Sequence, residues 1–368
     1  MNFNYRMPAK VFFGRGCVSR NKDFFAKSGK KAFIVTGKSS ARASGALDDI
    51  AGVLNELSIK YEIYDGVENN PSLKNVEEGG ALAARSGADF VIGIGGGSPL
   101  DASKAVAVLA VNGMEAVELY KNSFPNRPLP IIAIPTTAGT GSEVTPYCIL
   151  TRPDMQTKMS FGNDETFPVA AFLDASYTES LTLSVTVNTA IDALTHAMEG
   201  YLSKRSTAVT DVLAAESMGV LGECLIRLEN GEIGSDTRDK LLYASMLAGM
   251  VIANTGTTII HGMGYSLTYF KDIPHGEANA LFVKEYLDFN CDAATEKTER
   301  VLKLLKAEST QQLGAVIASL IGKKPSLSRE EIDCYTELTM KQRSTLSNIR
   351  TVSAQDIAGI IRRSVKQI

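Results

Sequence analysis

Short apolar runs alternate with helix-periodic segments along the first half of the chain. The runs Lys31–Thr36, Asp89–Ile94 and Pro130–Ile134 have the length and composition of buried strands. Between the strands, segments 42–57 and 99–111 carry apolar side chains at the spacing of one helix face. This alternation predicts an α/β domain with a mainly parallel sheet and helices on both of its faces.

The pattern changes at about residue 180. Before this point, residues 146–173 carry short β-like runs that predict a hairpin and a closing strand. After it, nearly every segment has helical periodicity, and we expect helices at 188–203, 207–228, 236–254, 277–288 and 296–306. We therefore predict an α/β domain over residues 1–178 and an all-helical domain over residues 179–368.

The composition limits the classes of function that need to be considered. The chain has 368 residues, which is ample for two domains, and its net charge of −3 gives no reason to expect nucleic acid or a membrane surface as a partner. The chain contains no run of about 18 apolar residues, so the sequence does not predict a membrane span. Five cysteines, far apart and without a Cys-x-x-Cys pair, indicate reduced thiols. We predict a cytoplasmic protein without a signal peptide.

All three histidines of the chain lie between residues 188 and 279. Asp192 precedes His196 by four residues, about one helical turn, so both side chains leave the same face of a helix. His261 follows an apolar helical run, and His275 follows a proline at the predicted start of another helix. One carboxylate and three imidazoles are a complete ligand set for a divalent transition metal. Unrelated core histidines are the alternative, but these would more often be scattered along the chain.

A glycine-rich loop, Gly93–Ser98, follows one predicted strand and precedes a helix. Glycines let a ligand approach the backbone closely, and the free N–H groups at a helix start attract an anion. We therefore expect a phosphate-binding loop with contacts from Gly95, Gly96, Gly97, Ser98 and Asp101. The alternative is a tight turn with Asp101 as a helix-capping charge, although three consecutive glycines are more than such a turn requires. We expect Lys104 to be a surface or fold-stabilising side chain.

A second loop, residues 135–145, follows the strand Pro130–Ile134 and is dense in threonine, serine and glycine. Polar loops at the carboxyl ends of strands in an open α/β sheet suit a cofactor crevice. A solvated turn is the alternative, but the length of the loop and its position after a buried strand favour the crevice.

Four motifs, in order along the chain, carry a family resemblance. They are GGGSPLDASKA at 95–105, PTTAGTGSEVT at 135–145, DALTHAMEGY at 192–201 and HGMGYSLTYFKDIPHGEANA at 261–280. With these motifs the chain resembles the iron-activated, or group III, alcohol dehydrogenases, which share the dehydroquinate synthase-like fold. The resemblance runs from residue 7 through at least residue 290. It implies a dinucleotide-binding α/β domain, a helical metal-binding domain and a cleft between them.

The resemblance also implies which residues bind the metal and the cofactor. The implied metal ligands are Asp192, His196, His261 and His275, with Fe2+ expected and Zn2+ or Ni2+ as replacements. The implied contacts to a nicotinamide cofactor come from the glycine loop and from Thr136, Thr137, Thr140 and Lys158. We also expect a homo-oligomer, specifically a dimer.

The implied reaction is hydride transfer between NAD(P) and a primary alcohol or small diol, or the reverse reduction of an aldehyde. A glycerol or polyol dehydrogenase is one alternative, and a metal- and NAD-dependent lyase on the same fold is another. The threonine-rich loop and the spacing of Asp192 and His196 favour the dehydrogenases.

Two positions depart from the family pattern. Many members have a further histidine four residues after the third metal ligand, where this chain has Tyr265, so the route of the released proton stays open. Members that prefer NAD tend to have an acidic residue at the end of the first strand, where this chain has Gly37, followed by Lys38, Ser39 and Ser40. Glycine leaves room for the 2′-phosphate of NADP, and the lysine adds positive charge. We predict a preference for NADP(H) over NAD(H); the alternative is a plain turn and use of either cofactor.

Overall fold

The computed structural model describes residues 2–368, which form two compact units. The α/β unit is Met7–Leu181, and the helical unit is Thr182–Ile368 together with the segment that ends at Arg6. The division falls between Leu181 and Thr182, whereas the sequence pattern placed it between residues 178 and 179. All the residues assigned above to the metal lie in the helical unit, and all those assigned to the cofactor lie in the α/β unit.

The α/β unit contains the strands β1 (Lys10–Phe13), β2 (Lys31–Gly37), β3 (Lys60–Val67), β4 (Phe90–Gly95), β5 (Ile131–Pro135), β6 (Cys148–Arg152), β7 (Thr157–Phe161) and β8 (Ala170–Leu173). Six of these strands form a parallel sheet with the spatial order β1-β8-β5-β4-β2-β3. Its α-helices are α1 (Cys17–Arg20), α2 (Asp23–Ser28), α3 (Ser40–Ala43), α4 (Ala46–Glu56), α5 (Leu73–Ser86) and α6 (Gly97–Asn112). Strands β6 and β7 form a separate antiparallel hairpin. The predicted parallel sheet, hairpin and closing strand are thus confirmed.

Helices cover both faces of this sheet, because successive residues of its strands point to opposite sides. On one side Ile92 of β4 packs in a buried cluster with Ile50 and Leu54 of α4. On the other side Val91 belongs to a cluster with Val106 of α6. Burial on both faces explains why the strand sequences are continuously apolar rather than alternating.

The helical unit contains ten α-helices within the described residues. They are α7 (Leu183–Tyr201), α8 (Ala208–Glu229), α9 (Ser235–Thr255), α10 (Ile259–Lys271), α11 (His275–Ala280), α12 (Val283–Asn290), α13 (Thr295–Leu304), α14 (Thr310–Leu320), α15 (Arg329–Met340) and α16 (Ala354–Ser364). Two-residue strands, β9 (Ser326–Leu327) and β10 (Lys366–Gln367), pair in parallel near the carboxyl end. The predicted helical domain is confirmed, and β9 and β10 are the only named strands in the described part of the unit.

Two predicted helices are each divided in the structure. Segment 42–57 contains the end of α3 and all of α4, because Gly45 between them adopts a left-handed conformation with φ of 81°. Segment 277–288 contains the end of α11 and most of α12, separated at Leu281 and Phe282, which are both buried. No glycine or proline marks that second break, so apolar periodicity alone predicted one continuous helix.

Within residues 2–368, no single helix combines the length and the apolar composition that a membrane span needs. Helices α9 and α10 meet these criteria only when taken together, and they are bent by 108° where they meet.

Candidate active site

Three helices bring the four predicted metal ligands together. Helix α7 carries Asp192 and His196 one turn apart, both buried. Helix α10 carries His261 in its first turn, and α11 begins at His275. The Oδ1 atom of Asp192 lies 3.5 Å from Nε2 of His261 and 3.8 Å from Nε2 of His275. The Nε2 atom of His196 is 4.0 Å from the same oxygen.

The spacing and chemistry of this cluster fit a divalent ion. Ligand atoms of Asp192, His261 and His275 all lie within 4.8 Å of one another. Ligands about 2.1 Å from a tetrahedral ion are roughly 3.4 Å apart, so small inward shifts bring these atoms into range. The His196 ring stacks on that of His261 with centroids 4.5 Å apart, so His196 lies beside the other three predicted ligands. Imidazole and carboxylate ligands suit Fe2+ and Zn2+.

The cluster is electrostatically attractive to a cation. Burial acts to raise the pKa of Asp192, but His196, His275 and His261 outweigh it and hold the pKa below its ordinary value. Burial acts to lower the pKa of His261, but Glu199 and Asp192 outweigh it and raise the pKa to about 9. Two buried carboxylates therefore stabilise positive charge at this position.

Asn279 lies among the predicted ligands, and the sequence analysis missed it. Its Nδ2 atom is 3.1 Å from Oδ1 of Asp192 and 3.3 Å from Nε2 of both His261 and His275. The amide N–H groups of Asn279 thus face the atoms of these three residues that would bind a metal. Asn279 follows His275 by four residues, so helical spacing on α11 was the signal that could have identified it.

Helix α7 also holds the start of α11 in place. The backbone N–H of Glu277 donates to Oδ1 of Asn188 at 2.7 Å. A Cβ atom at Gly276 would lie 1.9 Å from the backbone oxygen of Asn188, so only glycine permits this close approach. Asn188 precedes Asp192 by one helical turn, and the contact therefore fixes His275 relative to the ligands on α7.

The cofactor loops lie at the carboxyl ends of neighbouring strands in the α/β unit. Strands β4 and β5 are paired, with Gly95 opposite Pro135, and the N–H of Thr136 donates to the Gly95 carbonyl at 2.9 Å. The loop after β2 lies on the other side of β4, because β2 and β4 also pair. The strand order changes direction at β2, since β3 lies on one side of it and β4 on the other. Open α/β sheets bind ligands at such a switch point.

The glycine and threonine loops pack tightly against each other. Gly95 has a φ of 146°, a conformation that favours glycine, and α6 begins at Gly97. A Cβ atom at Gly97 would lie 2.7 Å from the side chain of Thr140, and one at Gly96 would lie 3.2 Å from that of Thr137. Glycine at these two positions therefore permits the close approach of the two loops at the start of α6.

Comparison with known proteins agrees with this geometry. The family model for iron-containing alcohol dehydrogenase matches residues 8–175, and the model for the C-terminal part of the Fe-containing family matches residues 186–365. The chain belongs to the iron-containing alcohol dehydrogenase family. Members of the family are oxidoreductases that act on alcohols, so the resemblance identified from the four motifs is confirmed.

Relatives within the family align over most of their length. The 1,3-propanediol dehydrogenase of Klebsiella pneumoniae is 31% identical over 98% of each chain. The NADPH-dependent butanol dehydrogenase of Clostridium saccharobutylicum is 31% identical over 81% of this chain and 77% of its own. The crystal structure of an iron-containing alcohol dehydrogenase from Thermotoga maritima covers 99% of each chain at 39% identity, with a TM-score of 0.92.

The Asp101 side chain is hydrogen-bonded to other residues of the α/β unit. Its carboxylate accepts hydrogen bonds from the Ser142 hydroxyl and from the Ile149 N–H. Lys104 is fully buried, 3.5 Å from Asp101, and donates to Ser142 and to the Tyr147 carbonyl. Lys104 is therefore not on the surface, and the hydrogen bonds of both side chains to Ser142 tie α6 to the threonine loop. These partners lie about 40 residues away in the sequence, which spacing alone does not reveal.

The other predicted cofactor residues differ in their surroundings. Ser98 lies inside the first turn of α6 rather than capping it, and its hydroxyl accepts from the Asn70 N–H at 3.2 Å. Gly37 ends β2, and the residues that follow it, Lys38, Ser39 and Ser40, are exposed. Lys158 is buried on β7 opposite Thr151, and its role rests on the resemblance.

Tyr265 stacks on the His275 ring with centroids 5.5 Å apart and an interplanar angle of 13°. An aromatic side chain thus stands beside a predicted metal ligand at the position where many family members have a further histidine.

Proposed function

We propose that this enzyme is a metal-dependent alcohol dehydrogenase and aldehyde reductase that transfers hydride between NADP(H) and a primary alcohol or small diol. The observation that carries the proposal is the convergence of Asp192, His261 and His275 on one buried position, with His196 beside them. The names of the propanediol and butanol dehydrogenases among its relatives support the class of substrate.

In this proposal the helical unit holds the metal. Asp192, His196, His261 and His275 hold Fe2+, which Zn2+ or Ni2+ can replace. A divalent ion at this position supplies Lewis-acid polarisation of the alcohol or carbonyl oxygen. The buried carboxylate of Asp192 offsets part of the ionic charge, and Asn188 keeps the helix of His275 against α7.

The α/β unit binds the nicotinamide cofactor in this proposal. The backbone of Gly95, Gly96, Gly97 and Ser98 receives the pyrophosphate at the start of α6. The remaining proposed contacts come from Thr136, Thr137, Thr140, Lys158 and Asp101, with Asp101 acting through the loop that it anchors. Exposed Lys38 near the end of β2 supports NADP(H), as does the NADPH dependence of the butanol dehydrogenase.

We further propose that the enzyme is a cytoplasmic homodimer. The dimer rests on the family resemblance, and the reducing compartment rests on five cysteines that are all free thiols. Size-exclusion chromatography with light scattering measures the oligomeric state, and a monomeric mass would contradict this part of the proposal.

The function is tested by anaerobic assay of purified enzyme loaded with Fe2+ or Zn2+. Butanol, 1,3-propanediol and glycerol are offered with NAD or NADP, and the matching aldehydes with the reduced cofactors. We expect a change in nicotinamide absorbance that requires both the metal and a primary alcohol or diol. A preference for glycerol would point to the polyol alternative. No change with any combination would contradict the proposed reaction.

A further inference from the structure

Glu199 is fully buried on α7, three residues after His196 and seven after Asp192. Its side chain therefore leaves the same face of α7 as those two predicted ligands. It is too far along the helix to be a ligand itself, and instead it reaches the start of α10, the helix that carries His261.

The two carboxylate oxygens of Glu199 have different partners. Oε1 accepts hydrogen bonds from the N–H of Thr258 at 3.0 Å, the N–H of Ile260 at 2.7 Å and the Thr258 hydroxyl at 2.7 Å. These N–H groups belong to the first turn of α10 and would otherwise lack helical partners. Oε2 accepts from Nδ1 of His261. One side chain thus anchors both the helix and the imidazole ring that the helix carries.

We propose that Glu199 is a positioning residue for the metal centre, which orients His261 so that Nδ1 keeps its proton and Nε2 presents its lone pair to the metal. The proposal rests on the metal site of the proposed function. An ionised carboxylate can only accept hydrogen bonds, so Nδ1 must donate to it. Partners of this kind fix the tautomer and the ring orientation of metal-binding histidines.

The opposite edge of the ring gives independent support for the same orientation. The amide nitrogen of Asn279 lies 3.3 Å from Nε2 of His261, and an N–H donor at that position faces an acceptor. The ring is therefore held from both sides, by an acceptor at Nδ1 and a donor at Nε2. A metal that approaches from the side of Asp192 meets Nε2, which is 3.5 Å from the Asp192 carboxylate.

Glu199→Gln separates positioning from simple packing. Glutamine has the same shape but only one oxygen, and that oxygen is drawn to the three donors at the start of α10. Its amide NH2 group then faces Nδ1 of His261 and requires Nδ1 to accept, which puts the proton on Nε2, where it blocks a metal. We expect Zn2+ affinity, measured by chelator competition, to fall about 10–100-fold.

Thr258→Val is the matched control. It removes one donor from Oε1 of Glu199 but leaves the contact between Oε2 and His261. A purely structural role predicts that both variants weaken Zn2+ binding alike, whereas positioning predicts that only Glu199→Gln does. Equal effects of the two variants, or unchanged Zn2+ affinity in Glu199→Gln, would overturn the proposal.

A ¹⁵N NMR spectrum of the wild-type enzyme tests the orientation of the His261 ring even if Glu199→Gln does not fold. With three histidines in the chain, the ring ¹⁵N signals of the Zn2+-loaded protein comprise three spin systems. We expect the His261 ring to carry a slowly exchanging proton on Nδ1 and the metal on Nε2. Metal on Nδ1 would overturn the orientation while leaving the proposed function intact, and wild-type enzyme that binds no divalent metal would overturn both.

Discussion

The proposed metal centre depends on side chains, whereas the proposed cofactor loops depend on the backbone. At the proposed metal centre, side chains would bind the ion, and α7 fixes two of them: His261 through Glu199, and the helix of His275 through Asn188. In the loops proposed to bind the cofactor, the phosphate contacts would come from backbone N–H groups, which glycine leaves uncovered because it has no side chain. A substitution at the metal centre is therefore expected to remove a contact. A substitution of a loop glycine instead adds atoms that hinder the approach of a phosphate.

Both regions also contain buried charged side chains, but the cost of burying them is offset by different partners. Around Asp192, interactions with His196, His275 and His261 outweigh burial and keep the pKa of the carboxyl low. Beside the threonine loop, burial raises the pKa of Asp101 and lowers that of Lys104, and their ion pair offsets this only in part. The first arrangement suits a cation, whereas the second joins α6 to the threonine loop through Ser142.

The largest expected effect comes from deleting a ligand at the metal centre. His275→Ala removes one of three atoms within 4.8 Å of one another, and the remaining groups leave the ion incompletely coordinated. We expect loss of most bound metal and a fall in kcat/KM of at least about 10³-fold, roughly 4 kcal/mol. Metal analysis by mass spectrometry and kinetics under anaerobic conditions measure both.

Lys271→Ala is the control for this variant. Lys271 lies at the end of α10 in a partly exposed ion pair with Glu331, which is not a predicted ligand. Its loss should change neither metal content nor turnover. Retention of a full metal equivalent and full activity by the His275→Ala enzyme would show that the ligand assignment is wrong.

The four residues predicted to bind the metal lie close together in the structure, and the sequence could indicate this grouping because part of it is local. Asp192 and His196 are one helical turn apart, and histidine is rare enough in this chain for its clustering to be informative. Glu199 and Asn279 also lie at helical spacing from a ligand, but carboxylates and amides are common, so spacing alone did not distinguish them. The partners of Asp101 were beyond prediction, because hydrogen bonds to Ser142 and Ile149 depend on how β5 and β6 fold back onto α6.

The next largest effect tests the buried charge near the threonine loop. Burial raises the pKa of Glu143 from 4.5 to about 7, and Oε1 of this carboxyl has no hydrogen-bond partner in the described residues. Because the folded state holds the proton more tightly than the unfolded state, the contribution of Glu143 to stability is fully present below pH 4.5 and is lost as pH rises to about 7. The full loss amounts to roughly 3 kcal/mol.

Glu143→Gln removes this titration, so the unfolding free energy should fall less between pH 5 and pH 8 than in the wild type, by roughly 3 kcal/mol. Urea unfolding at the two pH values measures the difference. Glu165→Gln, at an exposed position, is the control and should follow the wild type. Identical pH dependence of Glu143→Gln and the wild type would contradict the prediction.

A smaller effect is expected from adding a single methyl group to the glycine loop. In Gly97→Ala the new Cβ lies 2.7 Å from the Thr140 side chain, so the two loops must separate and the phosphate site widens. We expect the cofactor KM to rise about thirtyfold, roughly 2 kcal/mol, with the alcohol KM and metal content unchanged. Gly52→Ala, where a Cβ meets nothing within 4 Å, is the matched control. An equal rise in both KM values would argue against a phosphate site here.

The smallest expected effect concerns cofactor preference, which we assign to the end of β2. Gly37 ends β2, and a Cβ there would make only ordinary contacts, the nearest at 3.5 Å from the Val67 carbonyl. A side chain therefore fits, unlike at Gly97, so glycine at this position is not required by packing. Lys38 and Arg42 are exposed nearby, and neither forms an ion pair within residues 2–368.

We expect the wild type to favour NADP over NAD by about tenfold in kcat/KM, which corresponds to one charge-assisted contact of roughly 1.5 kcal/mol. Gly37→Asp should reverse the preference, because a carboxylate accepts from the ribose 2′-OH of NAD and repels the 2′-phosphate of NADP. Gly37→Asn has nearly the same size without the charge, so it should weaken NADP use less than the aspartate does. Steady-state kinetics with both cofactors decide the matter. A wild-type preference for NAD would refute the proposed selectivity, and equal effects of aspartate and asparagine would show that space rather than charge sets the choice.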